Sequence, residues 1–317
     1  MIRPIFEISA AYLLDLIFGD PHWHWHPTRI IGRSIEKLEP KLNVPGINKR
    51  FAGVMLIILI VGITVFCVWA ILGLVKLVHP AFYYIFSVLF IYFALSVKDL
   101  GIEAHKVYQA LKDKDLKQAR KSLSLIVARD TDTLDEKEII RATVETVAES
   151  IMDGIVSVFF YLFLGGPVLA WAYKAVNTLD SMVGYRSERF IDFGKPTAKL
   201  DGLMNFIPAR LTAFFIFISS LLYGKNRQGS IKWAVRYSFR GPQVNSELTE
   251  AVMAGALGVQ LGGLNFYKSV PCAKPLMGDE LNPLEIRHIK ESIKISYLCS
   301  GLAVTSGIFF IWIMGRR

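Results

Sequence analysis

Residues 51–79 carry a single charged side chain, Lys76, and residues 81–97, 154–173 and 295–315 carry none. A helix rises about 1.5 Å per residue and the hydrocarbon core of a bilayer is about 30 Å thick, so about 17–25 apolar residues cross it. Each of these runs meets that length. Residues 203–223 also do, with Arg210 near the start, where a long stem can snorkel to the interface. Composition agrees: 53% of residues are apolar and 20% charged, against about 45–50% and about 25% in a soluble domain. A disordered chain is excluded, and three cysteines exclude a disulfide framework or a four-thiolate zinc site. In an apolar chain the net charge of +9 reads as loop orientation, not as nucleic-acid binding.

Three segments depart from simple spans. Residues 4–19 are apolar but carry Glu7 and Asp15; Asp15 spoils the apolar centre a cleaved signal peptide needs, which leaves a retained helix. Residues 154–173 are split by Gly165, Gly166 and Pro167, and 251–267 contain Gly255, Gly258, Gly262 and Gly263. Each of the last two reads as an ordinary membrane helix or as a broken, re-entrant one shielded from lipid, and Gly258–Gly262 also suits close helix packing. The chain is thus expected to be an all-α, polytopic membrane protein, one integral membrane domain over 1–317 with about five to seven membrane-embedded helices.

Polar loops separate the spans. Residues 20–50 carry six Lys/Arg and three Asp/Glu, and 98–153 carry ten and twelve. The basic count places both in the cytoplasm, consistent with a hairpin of 51–79 and 81–97 across His79-Pro80. The loop 98–153 reads as helical. Thr133 with Glu136 resembles a capping box that starts a helix near Leu134 and carries it past Glu149.

Candidate chemistry lies at the membrane edge. Glu145, Glu149 and Asp153 stand at i, i+4 and i+8, on one helix face that drifts by about 40° per step. Such a row suits a hard cation such as Mg²⁺, or is a solvated face with Arg141 offsetting Glu145. Asp130-Thr131-Asp132 is a weaker acidic pair. Lys174, Asn177, Asp180 and Ser181 form a polar stripe after 154–173, fit for a phosphate, a metal or an amide, or simply a helix surfacing from the membrane. Arg186 and Arg189 add guanidinium groups. His22, His24 and His26 alternate with Trp23 and Trp25, which reads as a transition-metal set or as interfacial anchors. No Walker loop and no nucleophile elbow is present.

Two long motifs carry a resemblance. Val144-Glu145-Thr146-Val147-Ala148-Glu149-Ser150-Ile151-Met152-Asp153-Gly154 and Tyr173-Lys174-Ala175-Val176-Asn177-Thr178-Leu179-Asp180-Ser181-Met182-Val183-Gly184-Tyr185 resemble the membrane-bound adenosylcobinamide-phosphate synthases of the CobD/CbiB type. Gly19-Asp20-Pro21, His26-Pro27, Gly32-Arg33, Arg129-Asp130-Thr131, Pro208-Ala209-Arg210-Leu211, 254–263, Lys274-Pro275 and Gly278-Asp279 match in order. Three places depart. Arg240-Gly241-Pro242-Gln243-Val244-Asn245-Ser246-Glu247 stands where the family commonly has Ser-Pro-Asn, Ser150 where Asn is usual, and Gly202 where a second Asp is common.

The resemblance implies a cell-membrane, multi-pass ligase of cobalamin biosynthesis with its active site on the cytoplasmic side. It joins adenosylcobyric acid, a corrinoid substrate, to (R)-1-amino-2-propanol or its O-phosphate, with ATP and Mg²⁺. Other late cobalamin enzymes are candidate partners, and no nucleic acid is expected. On this basis Glu145, Glu149 and Asp153 are assigned to metal, Glu149, Asp180 and Lys174 to catalysis, and Arg186, Arg210, Asn177 and Ser181 to binding phosphate or propionate. The rival expectations are a paralogous amide ligase with another amine or carboxylate, and a non-catalytic transporter or regulatory protein.

Overall fold

The computed structural model describes residues 2–21, 23–185, 187–223 and 226–314. His22 and Arg186 lie outside them. Helices α1 (Ile2–Phe18) and α2 (Pro27–Leu42) precede the apolar α3 (Lys49–Val78). Asn48 caps α3 by accepting the amides of Arg50 and Phe51, each at 3.1 Å. His79 ends α3 and starts α4 (Pro80–Ala94): its Nδ1 accepts the Ala81 amide at 3.1 Å, and Pro80 needs no amide partner at the first helical position. The two helices pack together, as the His79-Pro80 hairpin requires.

The loop 98–153 is helical, as expected, in three pieces: α5 (Val97–Lys112), α6 (Leu116–Ser124) and α7 (Glu136–Ile151). The capping box lies two residues later than the sequence reading placed it, at Asp135 and Glu138. Arg120 holds the Leu134 carbonyl at 2.9 Å, which keeps Leu134 in the loop. A π turn (Met152–Val156) joins α7 to α8 (Ser157–Val183), which is broken at Gly165 (φ −150°) and Gly166 (φ +68°) before Pro167. The break follows from chemistry: proline lacks the amide, and glycine alone takes the left-handed turn readily.

The chain continues through α9 (Lys195–Met204), α10 (Phe206–Leu222), α11 (Arg227–Ser238) and α12 (Asn245–Leu257). An antiparallel hairpin of β1 (Leu261–Tyr267) and β2 (Val270–Met277) precedes α13 (Arg287–Met314). The Gly-rich segment 251–267 is therefore neither a straight nor a re-entrant helix. Gly258, at φ +67°, caps α12 in the left-handed conformation, and the chain then turns extended.

Four helical runs among the described residues are long and apolar enough to cross a membrane: Lys49–Val78, Pro80–Lys112, Glu136–Val183 and Arg287–Ile313. The pair α9 and α10, bent by 49°, makes a fifth if counted as one span. The chain is a polytopic helical membrane protein at the low end of the expected count. The helix α1 has 17 residues and buries Glu7 and Asp15, and 251–267 leaves the helix at Gly258.

The chain divides into two compact units. The first comprises Met1–Ser96, Ser157–Phe206 and Val304–Arg317. Its core holds Leu56, Ile91, Leu95, Phe159, Trp171, Tyr173 and Phe193, and Trp171 donates to the Phe90 carbonyl at 2.9 Å. The hydroxyls of Ser157 and Tyr173 both donate to Asn205 Oδ1, at 2.7 and 3.0 Å. Inside this unit, buried Glu7 accepts the Ser87 hydroxyl, so an acid in an apolar helix is matched by a donor. The second unit comprises Val97–Val156 and Ile207–Ala303.

Candidate functional site

In the second unit, α7, α12 and the β hairpin bring together carboxylates and cations from distant parts of the sequence. Arg129, in the loop before α7, donates to Glu145 Oε2 at 2.6 Å and to Asn265 Oδ1 at 2.7 Å. The other Glu145 oxygen accepts the Gly262 amide at 2.8 Å. Burial works against the Arg129 charge, but the Glu145 carboxylate outweighs it and holds the guanidinium above its usual pKa. One turn earlier on α7, Arg141 donates to the Leu264 carbonyl and to Asn265 Oδ1, both at 3.0 Å, and to the Gly262 carbonyl. Arg141 therefore holds the hairpin; the cation that offsets Glu145 is Arg129. This close approach needs glycine. A Cβ on Gly262, at φ +86°, would sit 2.1 Å from the Pro275 carbonyl oxygen.

Asp130 secures the far end of the same hairpin. Its two oxygens accept the amides of Lys268 and Ser269, at 3.0 and 2.6 Å, and those residues form the two-residue turn with φ of +50° and +64°. The acidic pair read at Asp130-Thr131-Asp132 is thus a turn anchor on its first member.

One turn beyond Glu145 on α7, half-buried Glu149 accepts the Ser246 hydroxyl at 3.0 Å. Glu250, fully buried on α12, takes Lys274 of β2 at 2.8 Å. Burial raises the Glu250 carboxyl to about 8; Lys274 opposes this, while Glu145 and Glu149 add to it. Burial pulls Lys274 down, but Glu250 and Glu149 pull it further up, above the usual lysine value. The result is a partly buried cluster in which a firmly cationic lysine faces three acids. Lys274 appeared in the sequence only as part of a matching motif, and Glu250 carried no signal there. No short-range spacing marks them, because their partners lie 24 residues apart across a strand.

The structure does not bring Glu145, Glu149 and Asp153 to one point. Glu145 gives one oxygen to Arg129 and the other to Gly262. Asp153 lies in the π turn, which breaks the four-residue register the row depends on. Among the described residues, no three His, Cys, Asp or Glu side chains converge on a metal position. Of the histidine alternation, His26 lies 2.8 Å from Asp20 and edge-on to Phe93, and His22 falls outside the described residues.

Arg210, expected to meet phosphate or propionate, instead stitches the chain. It donates to the carbonyls of Ser238 and Arg240, at 3.1 and 2.5 Å, and to Asn245 Oδ1 at 2.7 Å. It thereby holds the 240–247 segment, the stretch that departs from the family pattern and also supplies Ser246 to Glu149.

The other expected residues belong to the first unit. Lys174, Asn177 and Asp180 are half-buried on α8, and Ser181 is exposed there and donates to the Asn177 carbonyl at 2.9 Å. A Cβ on Gly184 would lie 2.7 Å from the Asp180 carbonyl oxygen, so the backbone there favours glycine. Arg186 lies outside the described residues.

The family model described as "CobD/Cbib protein" matches residues 8–296. A cobalamin biosynthesis protein CobD of Geobacter metallireducens is 43% identical over 92% of this chain and 91% of its own. A CobD of Clostridium perfringens is 42% identical over 94% and 95%, and a cobalamin biosynthesis protein CbiB of Salmonella typhi is 40% identical over 93% of each. No solved structure matches. With one family model running from α1 into α13 and relatives this similar over nearly their full length, the chain belongs to the CobD/CbiB family.

Proposed function

We propose that this chain, a cobalamin biosynthesis protein by family, is an ATP-dependent acid–amine ligase. It joins adenosylcobyric acid, through its free propionate, to (R)-1-amino-2-propanol or its O-phosphate. The observation that carries the reading is the half-buried Glu149 carboxylate set beside the pair of buried Glu250 and half-buried Lys274. Amide formation from a carboxylate requires activation. A propionate oxygen attacks the terminal phosphorus of ATP, giving an acyl phosphate and ADP. The amine nitrogen then attacks the acyl carbon, phosphate leaves, and the nitrogen gives up a proton.

Glu149 is proposed as the acceptor of that proton, and Lys274 as the fixed cation near oxygens on which charge builds. Arg129, Arg141 and Arg210 position the hairpin and the 240–247 segment around them. Lys174, Asn177, Asp180 and Ser181 on α8, with Arg186, are proposed to meet phosphate or amide groups of the substrates. ATP is proposed to bring Mg²⁺ on its own phosphates, and no protein cage is assigned to the ion. The high basic count of 20–50 and 98–153 supports a cytoplasmic site.

The contact of Ser246 with Glu149 also favours testing a second amine, because the altered segment touches the proposed base. Purified protein in lipid is given adenosylcobyric acid, ATP, Mg²⁺ and either aminopropanol phosphate or ethanolamine phosphate, and products are read by mass. An ATP-dependent amide with aminopropanol phosphate supports the assignment. An amide with ethanolamine phosphate alone moves it to the paralogous ligase, and no amide with any amine overturns it.

A further inference from the structure

Between Tyr223 and Gly241 the sequence places Lys225, Arg227, Lys232, Arg236 and Arg240, and no acidic residue. Most of this stretch is α11. Its inner face buries Gly229, Ser230, Trp233 and Tyr237. Its outer face and the two residues just past its end carry two columns at four-residue spacing, which a helix sets side by side. One is apolar: Ile231, Val235 and Phe239, the last 90% exposed. The other is basic: Lys232, Arg236 and Arg240, all exposed. Arg236 lies over the Trp233 ring at 4.8 Å and Arg240 over Tyr237 at 4.2 Å, so both guanidinium groups are held at the edge of the buried face. Lys232 also pairs with Asp279 at 2.8 Å.

A monomer in water gains nothing from a row of bare Ile, Val and Phe. A row of this kind flanked by cations is what a helix lying in a bilayer interface presents: apolar groups reach the acyl boundary while Lys and Arg meet lipid phosphates. Only residues 223–226 separate α11 from α10, the apolar helix that completes the bent candidate span. We propose that α11 lies in the membrane interface of an anionic leaflet, with Ile231, Val235 and Phe239 at the acyl boundary and Arg236 and Arg240 on the headgroups. This reading does not depend on the ligase activity.

The test uses the full chain in nanodiscs, one copy per disc, of phosphatidylcholine alone or with phosphatidylglycerol. Cys67→Ser and Cys272→Ser remove the exposed thiols, and Phe239→Cys or, as a second site, Val235→Cys carries an environment-sensitive dye. The expected result is loss of dye emission with lipids spin-labelled near the headgroup. The loss is greater with phosphatidylglycerol present and smaller after Arg236→Gln with Arg240→Gln. Emission that stays water-like in both discs overturns the proposal, as does quenching equal in both. Protection of the dye only when a second copy or a soluble acidic protein is added also overturns it, in favour of that partner.

Discussion

Arg129 and Glu145 form an ion pair at 2.6 Å with 6% and 1% of their side chains exposed. The two residues are 16 apart in sequence, yet the pair is completed by a third partner, the Gly262 amide, 117 residues further on. A buried charge left alone is far more costly than a buried pair is favourable, so this contact holds the loop, α7 and β1 to one arrangement.

Glu145→Gln should therefore act on stability. Removing one partner of a buried ion pair costs about 3–5 kcal/mol. Thermal unfolding of the purified protein in lipid should show a large drop in the midpoint, and Arg129→Met added to Glu145→Gln should recover part of it. Equal melting of Glu145→Gln and the parent would show that the pair holds nothing.

Glu149→Gln should behave in the opposite way. Its carboxylate makes one hydrogen bond to a hydroxyl, worth about 0.5–1.5 kcal/mol, so melting should change little. Amide formation should be lost, and Ser246→Ala should give an intermediate rate. Turnover at the parent rate in Glu149→Gln removes this residue from catalysis.

Glu250 sets a pH window. Its carboxyl is raised from 4.5 to about 8 in the folded chain, chiefly by burial. A raised folded pKa gives stability that is fully present below 4.5 and is lost as pH rises through about 8. Glu250→Gln lacks this loss. Its melting midpoint relative to the parent should improve steadily from pH 5 to pH 8.5, and a constant difference over that range contradicts the assignment.

Gly255→Ala should push α11 off α12. The new Cβ would lie 2.4 Å from the Gly229 carbonyl oxygen, closer than packing allows. Overpacking of this kind costs about 1–3 kcal/mol, which thermal unfolding would read directly. Gly301→Ala, with open space around its Cβ, is the control and should melt as the parent does.

The membrane class, the helical loop 98–153, the His79-Pro80 hairpin and the break at Gly165-Gly166-Pro167 were legible because each rests on local composition or local backbone chemistry. The β hairpin was not. Its strands, Leu261–Tyr267 and Val270–Met277, continue an apolar, Gly-rich run, and its Lys268-Ser269 turn lacks the Asn-Gly or Asp-Gly signal of such turns. The spacing of Glu145 and Glu149 on one helix was legible, whereas the engagement of Glu145 by Arg129 and Gly262, and that of Glu250 by Lys274, depends on contacts a linear pattern does not show. The contacts of Arg210 with the Ser238 and Arg240 carbonyls were hidden for the same reason, since they join residues 28 and 30 apart in sequence.

The long reach from Asp130 and Glu145 to the hairpin has a consequence for how the protein is made. Synthesis is directional, and segments fold in the order in which they emerge. When α7 appears, Glu145 already has Arg129, but its second donor and the turn that Asp130 grips are not yet made. The apolar stretches of α8 and α10 must emerge and find their places before residues 261–269 arrive. The acidic cluster is therefore among the last features to take shape, and a chain truncated before Leu261 would keep its longest apolar helices except α13 while never forming the Glu145–Gly262 and Glu250–Lys274 contacts.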